Sequence, residues 1–438
     1  MKLTKIQRNW VIYDIACSAF TLILTVTIPV YFRGLIDIAG INEVCNNSLV
    51  QLLFSKNAEL ALNGNIQAYE ALKTSLFAAS TTLSVFIVAI IAPILGAIAD
   101  YYGLKKKLFI ISLLIGIGGL MLLTSDSGWF MYMIYLMIAR IAYSACNIFY
   151  DSMLVDIAKD EEMDKVSSYG YAYGYIGSVL PFTIGLYLIL VLPFNLDTIS
   201  ATKISFIIIA IWWFIGALPL ILRYKQQYGL EPNKHIIKDV LTRVRHTIKV
   251  VSNDKKILYY IIGYFCYIDG VYTIISMSTS YGAEVGISDN VMIIALLVTQ
   301  IIAFPFSLLA ANISKKYDTL NIIIVYVIIY MGIIINAYFL DTSLDFWILC
   351  ILVAMAQGGI QSLSRSYYSK IIPKDNASEY FGFFDIFGRF ADFFGPLIVT
   401  ICVTIFGESK YGILALLVLF IIGLILLLKV RKLNKYEQ

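Results

Sequence analysis

Long apolar runs broken by short polar stretches dominate this chain of 438 residues, and the pattern predicts helices that cross a membrane. Roughly 20 consecutive apolar residues span a hydrocarbon core. Spans can be drawn at roughly 10–33, 73–99, 107–124, 128–154, 168–193, 203–222, 257–280, 289–312, 320–340, 344–369, 379–406 and 410–430. Two breaks are long. About 34–72 is polar and mildly acidic, and AELAL and AYEALK within it predict a short helix. Arg223 to Lys256 divides the twelve spans six and six. The expected units are therefore 1–222, a linker 223–256, and 257–438.

Charge orients the spans. Lys2, Lys5 and Arg8 precede the first, Lys105 to Lys107 precede the third, and Lys159 and Lys165 follow the fourth. Lys315 and Lys316, Lys370 and Lys374, and the final Lys429, Arg431, Lys432 and Lys435 fall on the same side if the spans alternate. Basic loops mark the cytoplasmic face, so both termini are expected there, in a multi-pass protein of the inner (plasma) membrane if bacterial. The opposite side carries Asp126, Asp197, Asp289, Asp341 and Asp345. The linker holds nine Lys or Arg against Glu231, Asp239 and Asp254, with both histidines, His235 and His246. It reads as an amphipathic helix on an anionic leaflet or as a solvated tether, and the sequence leaves both open.

Composition narrows the class. With 60% hydrophobic and 14% charged residues, the chain has too little charge to cover a soluble domain of its size. The net charge of +4 lies at helix ends rather than in a patch, so no nucleic-acid partner is expected. Cys17, Cys146, Cys266, Cys350 and Cys402 lie in apolar runs and Cys45 in a polar loop, so neither a disulfide framework nor a metal site is expected. The first run carries Asp14 and no small-residue cleavage site beyond it, and reads as a retained helix rather than a signal peptide.

The halves look related. Ile157-Ala158-Lys159-Asp160 recurs as Ile372-Pro373-Lys374-Asp375, and Pro181 has a counterpart in Pro396, both at an offset of 215. Pro93 and Pro305 are 212 apart. Aligning GAIADYYGLKK from Gly96 with AANISKKYDTL from Ala310 puts Ser314 at the place of Asp100 and Tyr317 at that of Gly103, so the second copy is expected to have lost its acidic element.

Gly96 to Lys107 lies between two apolar runs, with Asp100 where one helix ends and three lysines where the next begins. This G-x-x-x-D-x-x-G-x-K-K pattern resembles the loop signature of the major facilitator superfamily. WVIYDIACSAF from Trp10, PVYF from Pro29, YDSMLVDIA from Tyr150, DGVYTIISMSTSYGAEVG from Asp269 and the stretch from Gly358 to Pro396 are similar to its vacuolar-effluxer-like branch, the autophagy-related amino-acid effluxers. The resemblance covers nearly the whole chain. It implies an all-α integral membrane protein with twelve transmembrane helices in two pseudo-symmetric six-helix bundles, working by alternating access. It suggests export of amino acids or similar small metabolites.

A charge within a bilayer costs at least ~2.5 kcal/mol and usually faces a cavity or a partner. Arg140 and Asp269 are the deepest, each about 18 Å along its span at ~1.5 Å per residue, and come from opposite halves. They would suit the carboxylate and amine of a zwitterion, or would pair with other buried charges and fix packing. Asp14, with Ser18 and Thr21 on its face, is a substrate contact, proton site, gate residue or cap. Asp385, Arg389 and Asp392 share one face of the eleventh span among many phenylalanines. In the superfamily that segment approaches the loop after the second helix, which implies a cytoplasmic gate of Asp100 with Asp385 or Arg389, and Arg365 is a similar candidate. Glu284 is a candidate outer-gate residue. Gly170, Gly174 and Gly177 predict close helix packing. No histidine lies in a span, so a coupled proton would have to ride on a carboxylate, Asp14 or Asp269.

The leading expectation is thus a monomeric secondary transporter of a small-molecule substrate among membrane lipids, with coupling to protons or another ion left open. No cofactor is expected. The competing reading is a sensor or scaffold that kept a transporter fold. No H-E-x-x-H, G-x-S-x-G or P-loop pattern is present, which argues against an enzyme or an ATP-driven pump.

Overall fold

The computed structural model describes residues 2–231 and 236–437, without the side chains of residues 236–238, 289, 290, 293, 389, 391–393, 436 and 437. Its first half holds α1 (Lys5–Thr25), α2 (Thr27–Cys45), α3 (Ser48–Leu62), α4 (Ile66–Ala99), α5 (Leu104–Leu122), α6 (Gly128–Ser152), α7 (Leu154–Ile157), α8 (Asp160–Val191) and α9 (Thr198–Arg223). The linker forms α10 (Ile236–Asn253). The second half holds α11 (Lys255–Glu284), α12 (Asp289–Ile313), α13 (Thr319–Tyr338), α14 (Ser343–Ile371), α15 (Ala377–Phe406), α16 (Ser409–Ala415) and α17 (Leu417–Glu437).

Among the described residues, ten helical stretches are long and apolar enough to cross a membrane. α5 and α15 occupy the remaining two of the twelve drawn positions: three lysines open α5, and Phe394–Phe406 is the apolar part of α15. The helices overrun the drawn spans mainly at the linker end, where α8 begins at Asp160 on three successive acids that suit its N-terminal dipole. The polar stretch 34–72 departs further from expectation. It is almost wholly helical, because α2 continues the first span to Cys45 through a kink at Gly40 (φ 82°), and α3 follows two residues later.

Two main helix crossings join the halves, α4 with α15 and α8 with α12; α6 adds to the first and α14 to the second. Each member of these pairs carries one of the repeated prolines: Pro93 in α4, Pro305 in α12, Pro181 in α8 and Pro396 in α15. The internal repeat is therefore a repeat of interface helices. Small residues set the α4–α15 distance. A Cβ on Gly96 would lie 2.2 Å from the Ser378 carbonyl oxygen, and one on Gly382 would lie 2.6 Å from that of Ala92. Those neighbours are backbone and cannot swing aside, so side chains at these two positions would push the helices apart.

The linker is docked rather than solvated. Leu230 exchanges backbone hydrogen bonds with the Asp100 turn, its N–H donating to Asp100 O at 2.9 Å and its O accepting from Tyr102 N at 3.0 Å. Val240 of α10 is buried against Ala97 and Tyr101.

Candidate functional site

The contacts that join the halves gather at the end where the linker attaches. Arg365 of α14 lies at their centre, 4% exposed. Its Nη1 donates to Asp151 Oδ1 at 2.9 Å, its Nη2 to Asp14 Oδ2 at 3.4 Å, and its Nε to Ser167 Oγ at 2.9 Å. The guanidinium also lies over three first-half rings, with centroids at 4.5 Å for Tyr171, 4.6 Å for Trp10 and 5.5 Å for Tyr150. A planar, delocalised cation suits such a cage better than an ammonium. α1, α6 and α8 supply the cage. Gly170 makes room for it, since a Cβ there would meet Asp14 Oδ2 at 2.4 Å. Among the described residues, one guanidinium thus faces two carboxylates, Asp14 and Asp151.

Further along the interface, Asp164 of α8 accepts from Thr319 Oγ1 at 2.7 Å and Ser366 Oγ at 2.6 Å, and pairs with Lys370 at 2.7 Å. Ser167 Oγ donates to Ser362 O at 2.7 Å and Tyr175 Oη to Gln361 Oε1 at 3.0 Å. Lys374 pairs with Asp160 at 2.8 Å, and that hydrogen bond holds its ammonium above the usual lysine range. Both partners there are partly exposed, and such a pair contributes about 0–1 kcal/mol. Removing one partner of a buried pair costs about 3–5 kcal/mol. Breaking the Arg365 cluster therefore costs this end more than breaking the Lys374–Asp160 pair.

Asp100 completes it. Its Oδ1 accepts the Ser378 N–H at 2.8 Å and its Oδ2 the Glu379 N–H at 3.1 Å. A carboxylate of the first half thus caps the N-terminus of α15, where orphan amides and the helix dipole favour an anion. Burial pushes the Asp100 carboxyl up to about 7, against the pull of Lys105 and of these two amides. Arg243 of α10 bridges the contact, 2.8 Å from Glu379 Oε2 and 3.5 Å from Asp100 Oδ2. Behind the turn, Lys105 pairs with Asp156 at 2.9 Å, both side chains buried. Asp156 also accepts from Tyr224 Oη at 2.5 Å and from the Gln227 and Tyr228 amides, which ties the linker's start to the first half.

The second copy of the loop has no acid at the place of Asp100, but its contact with the first half does not lack one. Ser314 does stand where symmetry would put an acid. However, the α8–α13 contact keeps a carboxylate, Asp164, supplied from the opposite side, with Thr319 and Lys370 as its partners. Asp14, Asp100, Asp151, Asp160 and Asp164 all belong to the first half, and Arg365, Lys370 and Lys374 to the second.

Among the remaining sequence candidates, Asp385 of α15 stands near enough to Asp151 to interact with it electrostatically. Asp269 is fully buried in α11, and its Oδ1 accepts the Gly395 N–H of α15 at 2.8 Å, a contact inside the second half. Arg140 is half-buried in α6. Asp385 is half-buried in α15, and the side chains of Arg389 and Asp392 lie outside the described residues. Glu284 is exposed and accepts the Ser409 N–H at 2.9 Å, which joins α11 to α16 within the second half instead of bridging to the first.

Far-end charge pairs also stay within one half: Arg33 with Glu70, Lys73 with Asp37 at 2.7 Å, and Lys203 with Asp126. Along the inner face of α1, Asp14 is buried, Ser18 half-buried, and Thr21 and Thr25 exposed.

Asp151, Asp156, Asp164, Ser167, Arg243 and Glu379 were not singled out from the sequence. Asp151 and Asp156 stand in YDSMLVDIA, and charge inside a span was the available signal for Asp151. Asp164 stands in an acidic run that suits any helix N-terminus.

Comparison with known proteins supplies the context. The family described as "Vacuole effluxer Atg22 like" matches residues 4–437. The uncharacterized MFS-type transporter YxiO of Bacillus subtilis is 35% identical over 432 residues, covering 97% of this chain and 95% of its own length. Autophagy-related protein 22 of Saccharomyces cerevisiae is 23% identical, covering 91% of this chain and 87% of its own length. Among solved structures, the human organic anion transporter MFSD10 superposes with a TM-score of 0.72 at 13% identity, covering 96% of this chain and 98% of its own. A bacterial homologue of the iron transporter ferroportin in an outward-facing state gives 0.67 at 10% identity, with 98% of each chain covered. At such identities these superpositions establish the fold, that of the major facilitator superfamily.

Proposed function

Because this chain belongs to the vacuole effluxer Atg22-like family of major facilitator transporters, we propose that it carries a small zwitterionic metabolite of the amino-acid class across a membrane by alternating access, using the Arg365 cluster as a charge lock between its halves. The observation that carries this reading is the buried pairing of Arg365 with Asp14 and Asp151 across the interface.

Opening that end strips a buried cation from its partners, which costs about 3–5 kcal/mol if nothing replaces them. A zwitterion replaces both at once. Its carboxylate can take the guanidinium in bidentate fashion, and its ammonium can take Asp14 or Asp151. The bound substrate then lowers the barrier to opening, which is the differential affinity that a conformational switch requires. In this reading a coupling proton rides on a carboxylate of the interface, since no histidine lies in a span. Asp269, held by the Gly395 amide, suits a packing role better than the amine-binding role expected of it. Asp100, seated on the first turn of α15, is the second part of the gate, and Glu284 has a fixed place inside its own half. The basic linker end is read as cytoplasmic.

The test is flux. Purified protein in proteoliposomes is given amino acids, amines and sugar phosphates, with and without a pH gradient, beside an Arg365→Gln variant. Counterflow of amino acids that the variant loses is the expected result. A folded protein that moves none of them, or an unaffected variant, would sink the reading. A transporter-shaped sensor would bind the same ligand without counterflow.

A further inference from the structure

We propose that α10 is a membrane-seated latch on the gate: its outer face binds anionic lipid headgroups, and Arg243 on its inner face converts that binding into closure of the linker end. The proposal rests on the gate reading above and adds a regulator to it.

The inner face is defined by contacts. Val240 is 1% exposed against Ala97 and Tyr101, and Val244 packs beside it. Arg243 lies over the Tyr101 ring with its carbon 5.3 Å from the centroid, donates to the Ala97 carbonyl at 3.2 Å, and reaches Glu379 and Asp100. It therefore touches the end of α4 and the start of α15 together, one from each half. If that crossing separates, Arg243 cannot keep both carboxylates. A linker residue is thus a third component of the contact between halves.

The outer face differs in chemistry. Leu241 and Ile248 are 53% and 49% exposed, one above the other at helical spacing. Exposed Arg245 and Lys249 flank them, four residues apart, with His246 exposed alongside. Apolar side chains bordered by a basic stripe fit a lipid interface better than water. Geometry fixes that occupant. Only Asp254 separates α10 from the spanning helix α11, whose first turn it caps through the Lys256 and Ile257 amides. The C-terminal end of α10 is therefore held at the membrane boundary, where headgroups lie. Basic residues are drawn to an anionic surface, and salt screens that attraction.

The experiment needs no substrate. The full chain is placed in phosphatidylcholine nanodiscs with and without phosphatidylglycerol, and hydrogen–deuterium exchange is read in α10 and in the first turn of α15, whose amides hold Asp100. Phosphatidylglycerol is expected to slow exchange in both segments, on the order of tenfold in α10, and salt is expected to reverse it. Arg245→Gln with Lys249→Gln should abolish the lipid response in both. Arg243→Gln should keep the response in α10 and lose it in α15. Equal exchange in the two lipids, a response that survives the double variant, or an α15 response that survives Arg243→Gln would each overturn the latch. Absence of flux in the earlier assay would leave this result standing, and failure here would leave transport standing.

Discussion

Gly170 is where a single added carbon tests the site. Its Cβ would lie 2.4 Å from Asp14 Oδ2, 2.9 Å from the Trp10 ring and 3.1 Å from an Arg365 nitrogen. Gly170→Ala is therefore expected to displace the Asp14–Arg365 contact and destabilise the protein by about 1–3 kcal/mol, the usual cost of overpacking, seen as a lower Tm together with reduced counterflow. Arg365→Lys asks a different question. Lysine keeps the charge but cannot address Asp14, Asp151 and Ser167 through one planar group. Flux should fall at least about tenfold, the equivalent of ~1.4 kcal/mol, while the protein stays folded. Undiminished flux in that variant would remove Arg365 from the transport site. From the sequence, Asp14 and Arg365 could be named separately because a charge in an apolar run stands out. Their pairing could not be read, since 351 positions separate them and only the crossing of α14 with the first half brings them together.

At the scale of elements, the Asp100 turn behaves as a pH-sensitive clasp. Burial at the closed interface raises its carboxyl from 3.8 to about 7. The closed form thus binds a proton that a solvated Asp100 would not hold between about pH 4 and 7. Closure is favoured as the pH falls across that window, and the contribution is lost as the pH rises through 7. Spin labels at Tyr102 and Asp375, both exposed, should show a larger closed fraction at pH 5 than at pH 8. Asp100→Asn should flatten that dependence, and a variant that still follows pH would assign it to another group. Behind the clasp, Lys105→Met leaves Asp156 buried without its cation and should cost about 3–5 kcal/mol, read as a drop in Tm. Much of this turn was legible, because a glycine, an acid and a lysine cluster at fixed spacing demand a tight, basic turn. The α8–α13 contact was not, because the acids opening α8 look like ordinary helix-dipole partners. The near-continuous helix over 27–62 was missed for a related reason: its polar residues mask helical continuity, which is interrupted at Gly40, at Asn46–Asn47 and at Phe54.

The whole molecule is held shut at the linker end, where the described ion pairs between its halves gather. A cysteine at Thr21, exposed on the inner face of α1, should react with a membrane-impermeant maleimide added from the far side. A cysteine at Ser167, 0% exposed in the lock, should stay protected until the halves rock apart. Equal labelling of the two would contradict the closed end. The twelve-span plan and the repeat were readable because both rest on local hydropathy and on proline spacing. Which end is closed was not, because one sequence serves every conformation of such a fold.

The allocation of charge between the halves has a consequence for how the chain finds itself. In the pairs that Arg365, Lys370 and Lys374 make across the interface, the acid always lies in 1–222 and the cation in 257–438. Two copies of the first half would set carboxylate against carboxylate at every one of these places, and two copies of the second would set cation against cation. A chain severed within the linker would therefore yield fragments that recognise each other and reject their own kind. Repetition built the two bundles alike, and this division makes them lock and key.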